Sequence, residues 1–142
     1  MLFVPKLCYN IVKDVNGGYA MKICRMNELL NTGPIMCCDD MEIEIKYGFA
    51  SDLMSDVLAL ANHNVVLITG LINIQTIRTA EMMDIKWIIF VRGKIPDENV
   101  LELANQNRIN VLCTKETMFR TCGILFGNGL QGAEINLSLI HI

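Results

Sequence analysis

Val65-Val66-Leu67-Ile68-Thr69-Gly70 sets five strand-forming residues in a row and closes them with a glycine. An unbroken apolar run of this length, without polar alternation, belongs to a strand covered on both faces, the form that parallel sheets take. Gly70 then turns the chain. Downstream, the spacing predicts a helix from about Asn73 to Asp84, a second strand over Lys86 to Val91 around Trp87-Ile88-Ile89-Phe90, and a helix carrying Val100, Leu101 and Ala104. Pro96 is expected in the first turn of that helix, where a missing N–H costs nothing. Ile109 to Cys113 reads as the next strand. Thr114 is expected to cap a last helix with an apolar stripe of Met118, Phe119, Cys122, Leu125 and Phe126, ended by Gly127 and Gly129. Upstream, Ser51 is expected to cap a helix whose Leu53, Met54, Val57, Leu58 and Ala61 share one face, leaving Asp52, Ser55 and Asp56 to solvent.

Strands alternating with helices predict an α/β fold, a three-layer sandwich with a mainly parallel sheet built from successive strand–helix units. Right-handed crossovers would set the strands near 65–69, 87–91 and 110–113 side by side, with their C-terminal ends on one edge. The first half is less periodic. Met26 to Leu30 reads as helix and Glu42 to Ala50 as a further strand, expected to complete the sheet.

At 142 residues the chain suits one domain, and its hydrophobic fraction of 52 % is ample for a core without metal or disulfide. Twelve basic against fifteen acidic residues give a net charge of −3, too weak a field to recruit nucleic acid or an acidic membrane. No apolar run approaches the roughly 18 residues of a membrane span. The N-terminus, with apolar residues ahead of its first positive charge, does not read as an export signal. The six cysteines (Cys8, Cys24, Cys37, Cys38, Cys113, Cys122) form no C-x-x-C, and are read as buried or idle thiols of a reducing cytoplasm rather than metal ligands. Residues 1–20 match nothing in the repeating plan. Gly17-Gly18 stands just upstream of Met21-Lys22-Ile23, and glycine codons there would spell a ribosome-binding site, which makes Met21 the expected initiator.

Gly48-Phe49-Ala50-Ser51-Asp52-Leu53-Met54-Ser55-Asp56-Val57 resembles a DRTGG domain, of the small stand-alone kind similar to the N-terminal domain of HPr kinase/phosphorylase. Thr69-Gly70-Leu71, Gln75, Ile77-Arg78-Thr79-Ala80-Glu81-Met82, Phe90-Val91-Arg92-Gly93-Lys94 with Pro96, Cys122-Gly123 and Gly129-Leu130 resemble family segments in the same order. The resemblance covers residues 21–132, leaving a non-family extension before it and an apolar tail over 133–142. The naming motif is degenerate, since Glu44-Ile45-Lys46-Tyr47-Gly48 keeps only its last glycine. The resemblance implies a dimeric α/β sandwich that accompanies catalytic or nucleotide-sensing modules without catalysing the reaction itself. It also implies relatives encoded beside hydrogenase and electron-transfer genes.

The chemistry of the residues points away from catalysis. Phosphoryl transfer by HPr kinase needs a G-x-x-x-x-G-K-[ST] loop, and Gly93-Lys94 lacks both its earlier glycine and its following hydroxyl. The only histidines, His63 and His141, fall in a turn and in the tail, without a nucleophile beside them. Asp52 and Asp56, one helical turn apart, read as a solvated helix start rather than a metal or acid–base pair. Met82-Met83 puts at least one side chain in the core, and Trp87 is read as packing. Open α/β sheets bind ligands beyond the carboxyl ends of their strands. There the sequence places Ser51, Asp52, Thr69, Gly70, Gln75, Arg92, Lys94 and Thr114, a set suited to a phosphate or carboxylate. The expected protein is therefore a non-catalytic regulatory homodimer that senses a small anionic metabolite, with an adenine nucleotide as the leading ligand and no metal. The alternative is an accessory subunit that docks on hydrogenase or electron-transfer proteins without a small-molecule ligand. Ile135, Leu137 and Leu139 alternate with polar residues and are expected to form a strand that supports the dimer.

Overall fold

A computed structural model describes residues 11–13, 19–36, 39–61 and 64–135. Their elements, in chain order, are β1 (Ile11–Lys13), β2 (Tyr19–Lys22), α1 (Ile23–Leu30), β3 (Gly33–Met36), β4 (Glu44–Ile45), β5 (Tyr47–Ala50), α2 (Met54–Leu60), β6 (Val65–Thr69), α3 (Ile74–Met82), β7 (Trp87–Phe90), α4 (Glu98–Gln106), β8 (Asn110–Cys113), α5 (Met118–Gly127) and β9 (Gln131–Gly132). Six strands form the main sheet in the order β3-β8-β7-β6-β5-β9, and β1-β2-β4 form a small antiparallel sheet. In the main sheet β5 to β9 run parallel and β3 alone runs antiparallel, against β8.

β6, the run that opened the sequence reading, is buried at all five positions, and its alternate side chains enter opposite layers. Val65 and Leu67 join Met54, Val57, Ile77, Ala80, Val100 and Ala104 under α2, α3 and α4. Val66 and Ile68 join Ile23, Met26, Leu30 and Leu125 under α1 and α5. The molecule is therefore the expected three-layer α/β sandwich, with the predicted strands paired in the predicted order. A chain that steps in one direction from β5 to β8 keeps its right-handed crossovers on one face. Past β8 it doubles back to β9, beyond β5, and the same handedness carries α5 to the opposite face.

Several local expectations are corrected. Ser51 does not cap α2: Leu53 is the N-cap residue, and the Ser51 hydroxyl instead accepts from the Leu53 N–H at 3.0 Å in a tight turn. Leu53 and Leu58 consequently stay largely exposed while Met54 and Val57 are buried. Asp52 precedes the helix, so it does not stack one turn below Asp56. Pro96 likewise lies outside α4, whose N-cap is Asp97, its carboxylate accepting from the Val100 N–H. Thr117, not Thr114, caps α5. Phe119 and Phe126, expected in the apolar stripe of α5, are exposed at 88 % and 69 %. The single strand expected over Glu42 to Ala50 breaks at Lys46, giving β4 to the small sheet and β5 to the large one. β2 begins at Tyr19 and pairs with β1 through Ile11↔Met21. Trp87 is 1 % exposed and Met83 packs on the core, as expected, whereas Met82 faces solvent. Cys8, Cys37, Cys38, His63, His141, Gly17 and Gly18 and the tail beyond Ile135 lie outside the described residues.

Candidate functional site

Asp52 is reached by two elements at the C-terminal edge of the sheet. One oxygen of its carboxylate accepts from the Thr69 hydroxyl (3.1 Å), on the last residue of β6, and from the Gly70 N–H (2.7 Å), just past it. The other meets the Arg92 guanidinium, following β7, at 3.4 Å. Ser51 is held beside them because its N–H donates to the Ile68 carbonyl (3.1 Å), which extends the β5–β6 pairing by one bond. The Thr69 hydroxyl passes the network on, accepting from the Leu71 N–H (3.1 Å). Lys94 closes it from the other side, its Nζ donating to the Gly70 carbonyl (3.2 Å).

Gly70 and Arg92 form a steric pair. A β-carbon on residue 70 would stand 2.0 Å from Arg92 Nη2 and 2.5 Å from Cζ, so the guanidinium occupies the volume that any side chain there would need. Arg92 is held for this by a backbone turn in which it and Gly93 both have positive φ, 64° and 68°. Such a conformation costs an ordinary residue of order 1–2 kcal/mol, and the surrounding hydrogen bonds maintain it. The Arg92 N–H donates to the Glu116 carbonyl (2.7 Å) and the Gly93 N–H to the Thr114 carbonyl (2.9 Å), tying the loop after β7 to the loop after β8.

The electrostatics follow from these contacts. Burial pushes the Asp52 carboxyl upward, but the Gly70 N–H, the Thr69 hydroxyl and the Arg92 charge outweigh it and hold the acid below its ordinary value. Arg92 spends one of its five donors here, and Lys94 one of its three. Among the described residues, the thiols of Cys24, Cys113 and Cys122 are all shifted away from the reactive thiolate. Burial drives Cys113 up to about 11 and raises Cys122, and burial with the neighbouring Glu42 carboxylate raises Cys24.

Of the eight residues singled out from sequence, Ser51, Asp52, Thr69, Gly70, Arg92 and Lys94 come together in this network. Thr114 is buried, its hydroxyl donating to the Leu30 carbonyl (3.0 Å) and accepting from the Glu116 N–H (3.2 Å). Gln75 stands exposed on the first turn of α3, outside these bonds. Beyond the turn at Arg92-Gly93 opens a cleft of about 220 Å³, lined by Asn31, Gly33 and Ile35 from the β3 side, Gly93 and Ile95 from the β7–α4 loop, and Cys113, Thr114 and Lys115. Of these only Thr114 was marked in the sequence, because the cleft depends on β3 joining the sheet beside β8. A larger cavity, about 390 Å³, lies at the opposite end of the strands, where Lys86 pairs with Asp84 (3.1 Å) and Arg108 with Asp39 (3.4 Å).

The solved structure of the CBS and DRTGG domains of the regulatory region of Clostridium perfringens pyrophosphatase, complexed with its activator diadenosine tetraphosphate, matches this chain with a TM-score of 0.64 at 13 % sequence identity. The fold is DRTGG-like. The match covers 80 % of this chain and 51 % of the other, so the chain spans about half the length of that regulatory region. No family model matches the sequence, and no curated protein matches it either. At this identity the likeness speaks for the fold alone. Among the described residues, no helix is long and apolar enough to cross a membrane.

Proposed function

We propose that this protein is a non-catalytic regulatory module of the cytoplasm that senses a small anionic metabolite, with an adenine nucleotide as the ligand class best suited to its edge. The observation that carries the reading is the network of Asp52, Thr69, Gly70, Arg92 and Lys94, which holds two cations at the end of three adjacent parallel strands, where such sheets bind ligands. The likeness to a regulatory region crystallised with a dinucleotide activator supports it. Sensing follows from competition. A phosphate that takes the free donors of Arg92 draws the guanidinium from Asp52 and Gly70, releasing the strained turn at Arg92-Gly93 and the loop after β8 that is bonded to it. A homodimer would couple two such edges, in keeping with the DRTGG resemblance.

Thermal-shift and calorimetric titration with ATP, AMP, diadenosine tetraphosphate and inorganic pyrophosphate is the test. A ligand present at 100 times its Kd raises stability by about 2.7 kcal/mol. The companion variant is Arg92→Gly with Lys94→Ala, because glycine adopts the positive φ of residue 92 freely and the fold is expected to persist. Binding in the native protein and none in the variant is expected. No shift with any of the four compounds would refute the reading. The second reading, an accessory subunit for hydrogenase or electron-transfer proteins, rests on the exposed rings of Phe119 and Phe126 on α5, and predicts that outcome.

A further inference from the structure

The helices that follow β7 and β8 leave for opposite faces of the sheet, α4 to the layer of α2 and α3 and α5 to the layer of α1. The ends of these two strands are therefore the point of the sheet where a crevice opens between diverging loops, the place at which doubly wound α/β sheets take their ligands. The apolar cleft lies there. Ile35, 38 % exposed, and Ile95, 64 % exposed, line it, and Gly33 and Gly93 leave its floor open, since a β-carbon at either would meet nothing within 4 Å. Its volume of about 220 Å³ is below the roughly 300 Å³ at which whole drug-sized ligands begin to be enclosed. It accommodates one flat ring system, with the rest of a ligand outside.

Polar groups stand around the opening. Lys115 lines the cleft and has no acidic partner among the described residues, whereas Lys94, between the lining residues Gly93 and Ile95 in the chain, turns its ammonium to the Gly70 carbonyl. Asn31, held in a left-handed conformation with φ 48° at the end of α1, lines the same cleft, and its side-chain amide has no partner among the described residues. One amide offers a donor and an acceptor side by side, the pair that an adenine edge complements. We infer that this cleft seats the purine ring of an adenine nucleotide between Ile35 and Ile95, with its edge read by Asn31 and its phosphates passing Lys115 toward the turn at Arg92-Gly93. The inference rests on the anion-sensing reading and names the part of the ligand that gives it specificity.

The test is calorimetric titration of the full chain with ATP and, separately, inorganic pyrophosphate, repeated with Asn31→Gly, Ile95→Ala and Lys115→Ala. Asn31→Gly keeps the left-handed backbone, and Ile95 is too exposed to carry the core, so each variant should melt with the native protein. Asn31→Gly and Ile95→Ala should each weaken ATP about fivefold or more and leave pyrophosphate within about twofold, while Lys115→Ala weakens both. Unchanged ATP affinity in the first two variants, or equal losses for ATP and pyrophosphate, would overturn the ring site and leave anion sensing standing. Native protein that binds neither compound overturns the anion reading itself, and the ring site with it.

Discussion

Replacing Asp52 by alanine should destabilise the protein by about 1–2 kcal/mol, while replacement by asparagine should cost less than half of that. The difference comes from what each change does to Gly70. Its N–H belongs to a buried residue and donates to Asp52 at 2.7 Å, and a buried donor left without an acceptor costs about 1–3 kcal/mol. Water entering beside the half-exposed carboxylate moves the figure toward the lower part of that range. The Thr69 hydroxyl loses its acceptor as well, yet it still accepts from the Leu71 N–H. The ion pair adds little, because Arg92 and Asp52 are 40 % and 48 % exposed, and pairs of that kind contribute about 0.5 kcal/mol or less. Asparagine keeps an oxygen for Gly70 and Thr69 and loses only the ion pair. Urea unfolding at neutral pH reads both variants, and with a slope of about 2 kcal/mol per molar the alanine variant should unfold roughly 0.5–1 M earlier. Equal losses in the two variants would refute the reasoning, since charge rather than the backbone donor would then be the stabilising feature. A silent alanine variant would refute it equally.

Acid titration gives a second check. The Asp52 carboxyl is held below its ordinary value, so its contribution is fully present above the unfolded value of about 4 and disappears as pH falls through the lower folded value. The stability gap between the native protein and Asp52→Asn should therefore narrow below about pH 4, as read by urea midpoints across the acid range; a gap that widens there contradicts it. Thr121 is buried within α5 with a hydroxyl that has no hydrogen-bond partner among the described residues. Thr121→Val should raise stability by about 1 kcal/mol, visible as a higher melting temperature. If the tail supports the proposed homodimer, truncation after Gly132 should lower the mass measured by light scattering at low micromolar concentration, and the melting temperature with it. A truncated chain identical in both would remove the tail from the interface.

The alternation of strands and helices was legible in the sequence because a buried parallel strand needs a continuous apolar run and an amphipathic helix a spaced one. β6, β7 and β8 and the helices α3 and α4 are written in these local patterns. The layered architecture then follows from chirality, which leaves few ways to join such units. Helix starts were less legible. Ser51 and Thr114 are hydroxyl residues in capping-like positions, but each spends its side chain on a turn or on another element, and the helices begin three or four residues later. The exposure of Phe119 and Phe126 was hidden for a related reason, since helical spacing defines a stripe without saying which stripe meets the sheet.

The site divides in the same way. That Asp52, Thr69, Gly70, Arg92 and Lys94 would share one edge follows from their places after successive strands. That Arg92 would fill the space vacant above Gly70 while pairing with Asp52, forty residues away, required a left-handed turn and a strand register that no local pattern encodes. The cleft of Asn31, Ile35, Ile95 and Lys115 was beyond sequence reading altogether. It forms because β3 enters the sheet antiparallel beside β8, while α4 and α5 part to opposite faces. Hydrophobic periodicity is a property of neighbours along the chain, whereas a binding cleft is made by segments that only the tertiary packing brings together.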